Sequence, residues 1–502
     1  MHVSGLLKNK MKRENKAMGE RFLLQTEGNS LMVSVGVPKK KTARSDIKQI
    51  SFNSILEIST ILNLSNRQTS TLCSKLRKDL GQNMLESNIP TKFKELCTSL
   101  EAFYDVKTET FGSGDEEEKR DIVFAKNTSD LVLHILNKRG LDPDSAIIRI
   151  SIDGGQGFLK CIVNVFDPSE KHSTSDLDDA GVKRSLILAL VEAVSESNDN
   201  LSKLVATLKL DEVKFKAAFD LKCANAVFGL SSHSGKYACL WCEGECTMHP
   251  GEKRTLSSID SNYQSYLAAG KPSLRMKEYK NCIAPRLLYL DEPGESLLEE
   301  IIPLPELHIF IGIVSMFVKV LLSIWPEFET WLDSNYIMYR GYHGIGLDGN
   351  NSEKFLSKIW ELELRIMSLS EIQPCMRNLL PVLKCLNKFS VLKHKAFGMR
   401  IEHGIEEALE DFKASFIDLQ VHLREYYSFD LKPSWKVHIL VAHLLPFLQH
   451  HEFGLGVYAE QAGESAHHHH REKWKRFKRR MNHEDYGPQL KKSVVHFGIN
   501  NI

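Results

Sequence analysis

The sequence predicts a mixed α/β (α+β) protein in which a small sheet is followed by a long helical segment. Three observations support this prediction. β-rich runs dominate residues 146–220, helical patterns dominate about 250–455, and a Cys-x-x-Cys pair lies between the two regions. At 502 residues, with 42% apolar and 26% charged side chains, the chain is long enough for several domains with a large buried core.

Hydropathy, cysteine usage and charge limit the classes of function. No uninterrupted apolar run approaches the roughly 18 residues that span a bilayer, and the N-terminus lacks a signal-peptide core, so we expect an intracellular protein without a membrane partner. Ten scattered cysteines do not resemble a secreted disulfide framework. The net charge is only +1, but residues 1–50 contain 11 Lys/Arg against 4 Asp/Glu and residues 471–502 contain 9 against 3. Two basic ends are typical of a protein that contacts nucleic acid.

The first predicted segment, residues 1–45, is a basic arm without periodicity. Its PKKKTAR stretch, residues 38–44, fits a nuclear-import signal, an arm along phosphates or a solvated charge run. Residues 46–140 are predicted to be helical, with two short helices between Phe52 and Leu80. The second of these helices contains four basic residues, Arg67, Lys75, Arg77 and Lys78. This pattern is compatible with a DNA-binding helix-turn-helix and with an ordinary helix pair.

The predicted strands lie in residues 141–235, after an acidic linker-like stretch at 113–120. Two β-rich runs, AIIRISID and FLKCIVNVFD, are joined by GGQG and predict a hairpin. There follow a strand in SLILALVEA, an amphipathic helix in DNLSKLVATLKL, a strand in KFKAAFD and a helix in LKCANAVFGL. This order places Asp153 at the end of the first strand and Asp220 at the end of the fourth.

These two aspartates are candidates for a metal site at one edge of the sheet. Hard cations such as Mg²⁺ prefer carboxylate oxygens, and two such ions about 4 Å apart can activate an attacking oxygen and stabilise a leaving one. A site of this kind needs a third acid. Taken singly, each aspartate is also accounted for as a turn former, because DGGQG is good turn chemistry in its own right.

The segment 236–455 is dominated by helical patterns and opens with KYACLWCEGEC. Its Cys-x-x-Cys pair is Cys239 and Cys242. Two thiolates at this spacing can bind one tetrahedral zinc ion, which needs two further ligands, whereas a redox role lacks its usual βαβ context. The second pair of ligands is either the local Cys246 with His249, or the distant His438 with His443 in HILVAH.

The last segment, 456–502, is polar and becomes strongly basic. Residues 471–480 contain seven Lys/Arg interleaved with Trp474 and Phe477, which suits phosphate contacts or the basic solvent face of an amphipathic helix. The candidate DNA contacts are Lys473, Lys475, Arg476, Lys478, Arg479 and Arg480. The preceding run His467–His470 is predicted to be a solvated helix face rather than a metal site, and His308 in LPELHIF an ordinary core residue.

The order and spacing of these motifs resemble those of a known recombinase family. The matching stretches are Asp153, then FDLKCANAVFGLSSHSGKYACLWC, LPELHIFIGIV, HILVAH, GVYAEQAGES and KWKRFKRRM. Together they are similar to the catalytic core of the V(D)J recombinase, the recombination-activating protein, and of the Transib and Chapaev-like cut-and-paste transposases. The resemblance covers roughly residues 146–485. It implies an RNase H-like mixed sheet, interrupted by a long all-helical insertion and zinc-stapled.

Residue by residue, the resemblance implies two kinds of metal ligand. Asp220 precedes Cys239 by 19 residues, as the matching residues do in the family, and Glu464 in GESAH matches the third catalytic acid. The implied ligands of two Mg²⁺ or Mn²⁺ ions are Asp153, Asp220 and Glu464. The implied ligands of one structural Zn²⁺ are Cys239, Cys242, His438 and His443.

The function that the resemblance implies is that of a DDE-type transposase. Such an enzyme nicks DNA at transposon ends and joins the freed 3′-hydroxyl to a second phosphodiester. The implied partners are double-stranded DNA, as transposon ends and as target, and a second copy in a homodimer, and the implied compartment is the nucleus. Two alternatives remain open: a domesticated DNA-binding protein without catalysis, and a hAT-like transposase, which shares the acid triad and the helical insertion.

Overall fold

The structure is a computed structural model, and it shows a mixed α/β protein, as the sequence predicts. It describes residues 21–26, 29–34, 49–62, 64, 66–81, 84–112, 114, 117–168, 184–231, 235–288, 292–341, 344–499 and 501. The basic stretch at 38–44 and most of the predicted arm lie outside these residues.

A small hairpin and three helices precede the main sheet. Strands β1 (Arg21–Thr26) and β2 (Asn29–Ser34) pair antiparallel, so this part of the segment predicted to be a flexible arm is instead a hairpin. Helices α1 (Phe52–Ile61), α2 (Asn66–Leu80) and α3 (Ile89–Glu101) follow. The two short helices predicted in this part of the chain are therefore confirmed.

Six strands form the main sheet. They are β3 (Tyr104–Phe111), β4 (Glu118–Ala125), β5 (Ile147–Asp153), β6 (Phe158–Phe166), β7 (Ser185–Glu192) and β8 (Lys216–Ala217). Their order across the sheet is β3-β4-β7-β6-β5-β8. β8 pairs parallel with β5, and every other pairing is antiparallel. β6 is buried along its whole length, so both faces of the sheet are covered at its centre.

Two of these strands were not predicted. β3 and β4 lie in the segment that was predicted to be helical, and residues 118–120 of the presumed acidic linker begin β4. Their many charged residues mask the alternation of a strand, because this hairpin lies at one edge of the sheet and exposes much of its surface. The predicted strand in KFKAAFD is only two residues long, although the Ala218 N–H also donates to the Ile150 carbonyl at 2.8 Å.

Helices pack against the sheet from both ends of the chain. α4 (Thr128–Arg139) and α5 (Asn198–Leu208) connect strands and contact β6 and β7, respectively. After the long helical segment, the chain returns to the sheet as α16 (Gln461–Phe477) and α17 (Tyr486–Gly498). α16 contacts β5 and β6, and α17 contacts β4 and β7. The last elements of the chain thus complete the core around its first strands.

The intervening segment is helical, as predicted, apart from two short strands. α6 (Leu221–Val227) leads into the cysteine-containing loop. The later helices are α7 (Leu256–Ala268), α8 (Leu298–Ile301), α9 (Glu306–Ile324), α10 (Phe328–Ser334), α11 (Gly349–Leu356), α12 (Ile359–Ile372), α13 (Leu380–Ala396), α14 (Ile405–Tyr427) and α15 (Trp435–His450). β9 (Arg340–Gly341) and β10 (Gly344–Ile345) pair with each other.

Helix α9 is long and apolar enough to span a bilayer, although Ser315 and Lys319 interrupt its apolar run. Among the described residues it is the one helix that could do so by length and composition, with a mean hydropathy of 2.2. However, 56% of its most apolar window is buried inside the protein, and α9 packs against α11, α13 and α15. Its apolar character is therefore that of a central core helix of the insertion.

His451 lies just after α15, and because its imidazole is buried we expect the protein to lose stability at acid pH. Its ring lies 4.1 Å from the Phe447 ring, and its Nε2 has no hydrogen-bond partner in the described part of the chain. Burial lowers the pKa of His451 from 6.5 to about 4. Between these values the unfolded chain binds a proton that the folded chain excludes, so the stability is complete above about pH 6.5 and falls as the pH drops towards 4.

When the pH is lowered from 7 to 5, the free energy of unfolding of His451→Phe should fall by about 2 kcal/mol less than that of the unmodified protein. Thermal or urea unfolding at the two pH values measures this difference. The control is His403→Phe, because His403 is exposed. If His451→Phe and the unmodified protein lose equal stability, protonation of His451 does not oppose folding.

Candidate metal centres

The first candidate centre is a buried cluster of two cysteines and two histidines. Its members are Cys239, Cys242, His438 and His443, and their ligand atoms all lie within 4.8 Å of one another. The Sγ of Cys239 lies 3.4 Å from Nε2 of His443, and the Sγ of Cys242 lies 3.4 Å from Nε2 of His438. Two thiols and two imidazoles at these separations could hold one tetrahedral zinc ion. The predicted grouping of the cysteine pair with the distant histidines is thus confirmed.

The other ring nitrogen of each histidine is already engaged. The Nδ1–H of His438 donates to the Thr247 carbonyl at 2.8 Å. Nδ1 of His443 lies 3.0 Å from Oε2 of Glu299, which is buried and also pairs with Lys253. These contacts fix both rings so that Nε2 faces the thiols, which is the usual arrangement around a metal-bound histidine.

The loop that holds the thiols is organised by a fully buried arginine. Arg254 donates to the carbonyls of Cys239 (3.1 Å) and Lys280 (2.9 Å). The local alternative for the second ligand pair is not assembled: Cys246 donates instead to the Pro433 carbonyl at 3.1 Å, and His249 is exposed. The distant histidines are therefore the pair that the fold brings to the cysteines.

The two thiols have different pKa values in this arrangement. The hydrogen bond from Cys239 lowers the pKa of Cys242 most, and the imidazoles of His438 and His443 lower it further. Burial keeps the pKa of Cys239 well above its ordinary value. A bound zinc ion would deprotonate both thiols, because the thiolate is the ligand form.

The second candidate centre is formed by acids at one edge of the sheet. Ile150 pairs with Ala217 on the parallel neighbour strand, and Asp153 and Asp220 each stand three residues further along. Because adjacent strands lie about 4.8 Å apart, the two aspartates emerge side by side. Asp220 also caps α6, since its Oδ1 accepts from the Cys223 N–H at 2.6 Å.

The third predicted acid, Glu464, reaches this edge on helix α16. The helix approaches β5 closely at the preceding residue, where a Cβ on Gly463 would lie 2.7 Å from Oγ of Ser151. Ser151 and Asp153 point to the same face of the strand. Burial raises the pKa of Glu464, and the negative charge of Asp153 raises it further. Although 44% of the Glu464 side chain is exposed, the two carboxylates lie close enough for their charges to interact.

The three carboxylates are close but not clustered as tightly as the cysteine–histidine group. They are not a group whose ligand atoms all lie within 4.8 Å of one another; among the described residues only the cysteine–histidine cluster meets that test. Like charges repel, and each aspartate already has a partner, His467 for Asp153 and the start of α6 for Asp220.

Residues that were not predicted to belong to this site also join it. The first is His308, in the first turn of α9. Its Nδ1 lies 2.6 Å from Oε1 of Glu460, and its Nε2 lies 3.9 Å from Oε1 of Glu464. Burial alone would lower the pKa of His308, but the bond to Glu460 and the charges of Asp220 and Glu464 raise it to about 9. His308 is therefore a cation among acids and not an ordinary core residue.

The second is Lys160, which lies with His467 on the other side of Asp153. Nε2 of His467 lies 2.7 Å from Oδ2 of Asp153, and its Nδ1 lies 2.7 Å from Nζ of Lys160. Burial lowers the pKa of Lys160 to about 7, against the opposing charges of Asp153 and Glu464. These contacts lower the pKa of Asp153 despite its burial.

The prediction that His467–His470 form a solvated face is wrong at both ends of the run. α16 buries one stripe of side chains: Ala462, Gly463, Ala466, His467, His470, Lys473 and Trp474. His470 packs against Phe158, with ring centroids 5.6 Å apart, while His468 and His469 are exposed. The burial signal was present in the sequence, because Gly463, His467, His470 and Trp474 follow helical spacing.

The predicted DNA contacts on α16 also need correction. Lys473 is buried, and burial lowers its pKa to about 8. Arg476 donates to the Leu64 carbonyl at 3.1 Å, in the turn before α2. Lys475 is exposed but pairs with Glu472. The exposed members beyond the helix end are Lys478, Arg479 and Arg480.

Comparison with known protein families and with curated proteins identifies no relative of this chain. No model of a known protein family matches the chain, and a search of curated proteins finds no significant match. The resemblance to the recombinase family therefore rests on the sequence motifs alone.

Proposed function

We propose that the protein is a DDE-type DNA strand transferase, a transposase-like enzyme that nicks DNA in a metal-dependent reaction and transfers the resulting 3′-hydroxyl. The observation that supports this most strongly is the meeting of Asp153, Asp220 and Glu464 at one sheet edge, although Glu464 follows Asp220 by 244 residues in the numbering. Carboxylates that lie close together repel one another, and a bound cation relieves that repulsion.

The strand order supports an RNase H-like interpretation of the sheet. β5, β6 and β7 form an antiparallel meander, and β8 adds parallel to β5 on its other side. The long helical segment then separates Asp220 from Glu464, as the resemblance implies. The hairpin of β3 and β4 extends the sheet beyond β7 and has no counterpart in this interpretation.

The residues present fit a pair of divalent ions. The three acids supply carboxylate oxygens, the ligand type that Mg²⁺ and Mn²⁺ prefer, and burial together with the charge of Asp153 raises the pKa of Glu464 although His308 and His467 oppose that shift. When bound, two such ions would stabilise the attacking and the leaving oxygens of a phosphodiester. His308 adds a cation at the same edge, suited to a non-bridging phosphate oxygen.

The cysteine–histidine cluster has a positioning role in this proposal, with one structural zinc ion. α15, which contains both histidines, ends 11 residues before the start of α16, which contains Glu464. Zinc bound to the loop after α6 and to α15 would fix the returning chain close to the aspartates.

Exposed charge on α2 supports DNA as the partner. One side of this helix contains the exposed Arg67, Thr71, Ser74, Lys75 and Lys78. The opposite side packs Cys73 into a small core with α1 and α3. The bond from Arg476 to the Leu64 carbonyl ties this helix pair to the catalytic helix. We propose that α2 contacts a DNA duplex, in a nuclear protein that acts as a homodimer on two DNA ends.

We expect the double variant Lys75→Glu, Lys78→Glu to bind duplex DNA at least about tenfold more weakly at low salt, because two phosphate contacts are lost. The slope of log affinity against log salt should fall in magnitude by about 2. Fluorescence anisotropy with a labelled duplex measures both. The matched control is Lys271→Glu, Lys277→Glu, two exposed lysines of the insertion. If the two double variants lost the same affinity for duplex DNA, α2 would not be part of the DNA interface.

Nicking of supercoiled plasmid tests the proposed reaction without knowledge of the natural DNA ends. We expect the zinc-loaded full chain to produce open circles with 3′-hydroxyl ends in Mn²⁺ or Mg²⁺, and none in chelator. A protein that binds duplex DNA and zinc but leaves the plasmid intact with either ion would instead support the DNA-binding protein without catalysis.

A further inference from the structure

Lys160 and Asp153 are direct neighbours across two antiparallel strands. Asp153, the last residue of β5, pairs in register with Lys160 on β6. Side chains of such a pair point to the same face, with Cβ atoms about 5 Å apart. Lys160 is fully buried, and its ammonium also lies 5.2 Å from the centre of the Phe158 ring. A lysine in such a place is rare unless it has a partner.

His467 bridges this pair from helix α16. Only 1% of the residue is exposed. Nδ1 lies 2.7 Å from the Lys160 ammonium, and Nε2 lies 2.7 Å from Oδ2 of Asp153. An ionised carboxylate has only acceptors, so the ring nitrogen beside it, Nε2, carries a proton, and Nδ1 accepts from the Lys160 amino group.

We propose that Lys160 and His467 are positioning residues for the divalent metal site. Lys160 selects the tautomer of His467, and His467 holds Oδ2 of Asp153, so that Oδ1 is offered to a metal ion. The pair acts through Asp153 and touches no substrate. This inference rests on the proposed function, because it assumes that Asp153 binds a divalent ion.

The arrangement also links the third acid to the first. His467 stands three residues after Glu464, about one helical turn, so both side chains lie on the side of α16 that meets the sheet. The same helix therefore contains both Glu464 and the imidazole of His467, which orients Asp153. Contacts of this kind around metal ligands typically change metal affinity by 10- to 100-fold when removed.

Mn²⁺ binding to the zinc-loaded full chain tests this inference without any need for catalysis. Free Mn²⁺ is counted by electron paramagnetic resonance during a titration. We expect His467→Leu and Lys160→Met to weaken Mn²⁺ binding about 10- to 100-fold. His467→Gln, which keeps an N–H donor, should restore part of the affinity. The matched control is His468→Gln, because the neighbouring His468 is exposed.

A purely structural role for the pair predicts a different pattern. It would lower the unfolding temperature and the zinc content of the variants and leave the Mn²⁺ affinity of the folded fraction unchanged, which would overturn the inference. If His467→Leu does not fold, Lys160→Met decides alone. In nicking assays, the Mg²⁺ concentration for half-maximal rate should rise by the same factor, with the rate at saturating Mg²⁺ changed less than about threefold.

The Mn²⁺-binding and plasmid-nicking experiments distinguish failure of this inference from failure of the proposed function. If Mn²⁺ binds and is lost in Asp220→Asn and weakened in Lys160→Met, but plasmid DNA stays intact, the positioning role stands and the strand-transferase proposal fails. If plasmid is nicked and Lys160→Met binds Mn²⁺ as the unmodified chain does, the positioning role fails alone.

Discussion

Glu464→Gln should reduce the rate of plasmid nicking at least about a thousandfold while leaving DNA binding and zinc content unchanged. Removing one carboxylate ligand from a two-ion site forfeits several kcal/mol of stabilisation of the developing charge, and each 1.4 kcal/mol is about a factor of ten in rate. Gel analysis of plasmid cut in Mg²⁺ and in Mn²⁺ measures the loss. Glutamine has nearly the shape of glutamate, so the helix packing around Gly463 is preserved.

The same substitution should leave the unfolding temperature unchanged or raise it. Burial and the charge of Asp153 raise the pKa of Glu464, so its ionised form is destabilising at neutral pH, and Gln removes that charge. Glu472→Gln on the same helix is the control, because Glu472 pairs with Lys475 away from the sheet. Full nicking activity in a clean preparation of Glu464→Gln would falsify the assignment of the third acid.

Cys239→Ser and His443→Ala should each lose the bound zinc ion and, with it, both stability and nicking. Apparent binding free energies of structural zinc are about 10 to 16 kcal/mol in small zinc-binding peptides, so its loss removes a large part of the margin that keeps a domain folded. Elemental analysis gives the zinc content, and thermal unfolding gives the stability. A strong chelator should reproduce both effects in the unmodified chain.

Cys246→Ser is the matched control for the zinc experiment. Cys246 lies in the same loop, but its thiol donates to the Pro433 carbonyl at 3.1 Å and stands outside the cluster. It should keep one zinc ion and an unchanged nicking rate. Zinc that is lost in Cys246→Ser and retained in His443→Ala would support the local ligand pair and remove the long-range link to α15.

The cysteine–histidine cluster was predictable from sequence because its ligand types are rare and their spacing is restrictive. Cys-x-x-Cys followed by a histidine pair five apart is the pattern of a tetrahedral zinc site, and the structure brings all four residues together. The strands of the meander were predictable for a similar reason: β6 and β7 are nearly continuous apolar runs, as strands covered on both faces should be.

The polar residues around the acids were harder to predict. His308 and Lys160 stand alone in apolar stretches, and only the packing of α9 and α16 against the sheet edge shows what they face. His467 was misassigned because four consecutive histidines suggest a solvated surface, whereas helix geometry separates adjacent residues by about 100° and sends two of the four inward. The edge hairpin of β3 and β4 was missed because its charges hide the strand pattern.

The separation of the two halves of the cysteine–histidine cluster along the chain has a consequence for folding. Cys242 and His438 are 196 residues apart, so the tetrahedral set cannot form until the whole insertion has been synthesised and has folded back. Closing so long a loop costs little more than closing one of half the length, about 0.6 kcal/mol. Zinc would then be bound late in the synthesis of the chain, and Glu464 is synthesised after the last residue of the cluster, His443. On the proposed function, a nascent or metal-starved chain holds only two of its three acids in place and does not cut DNA.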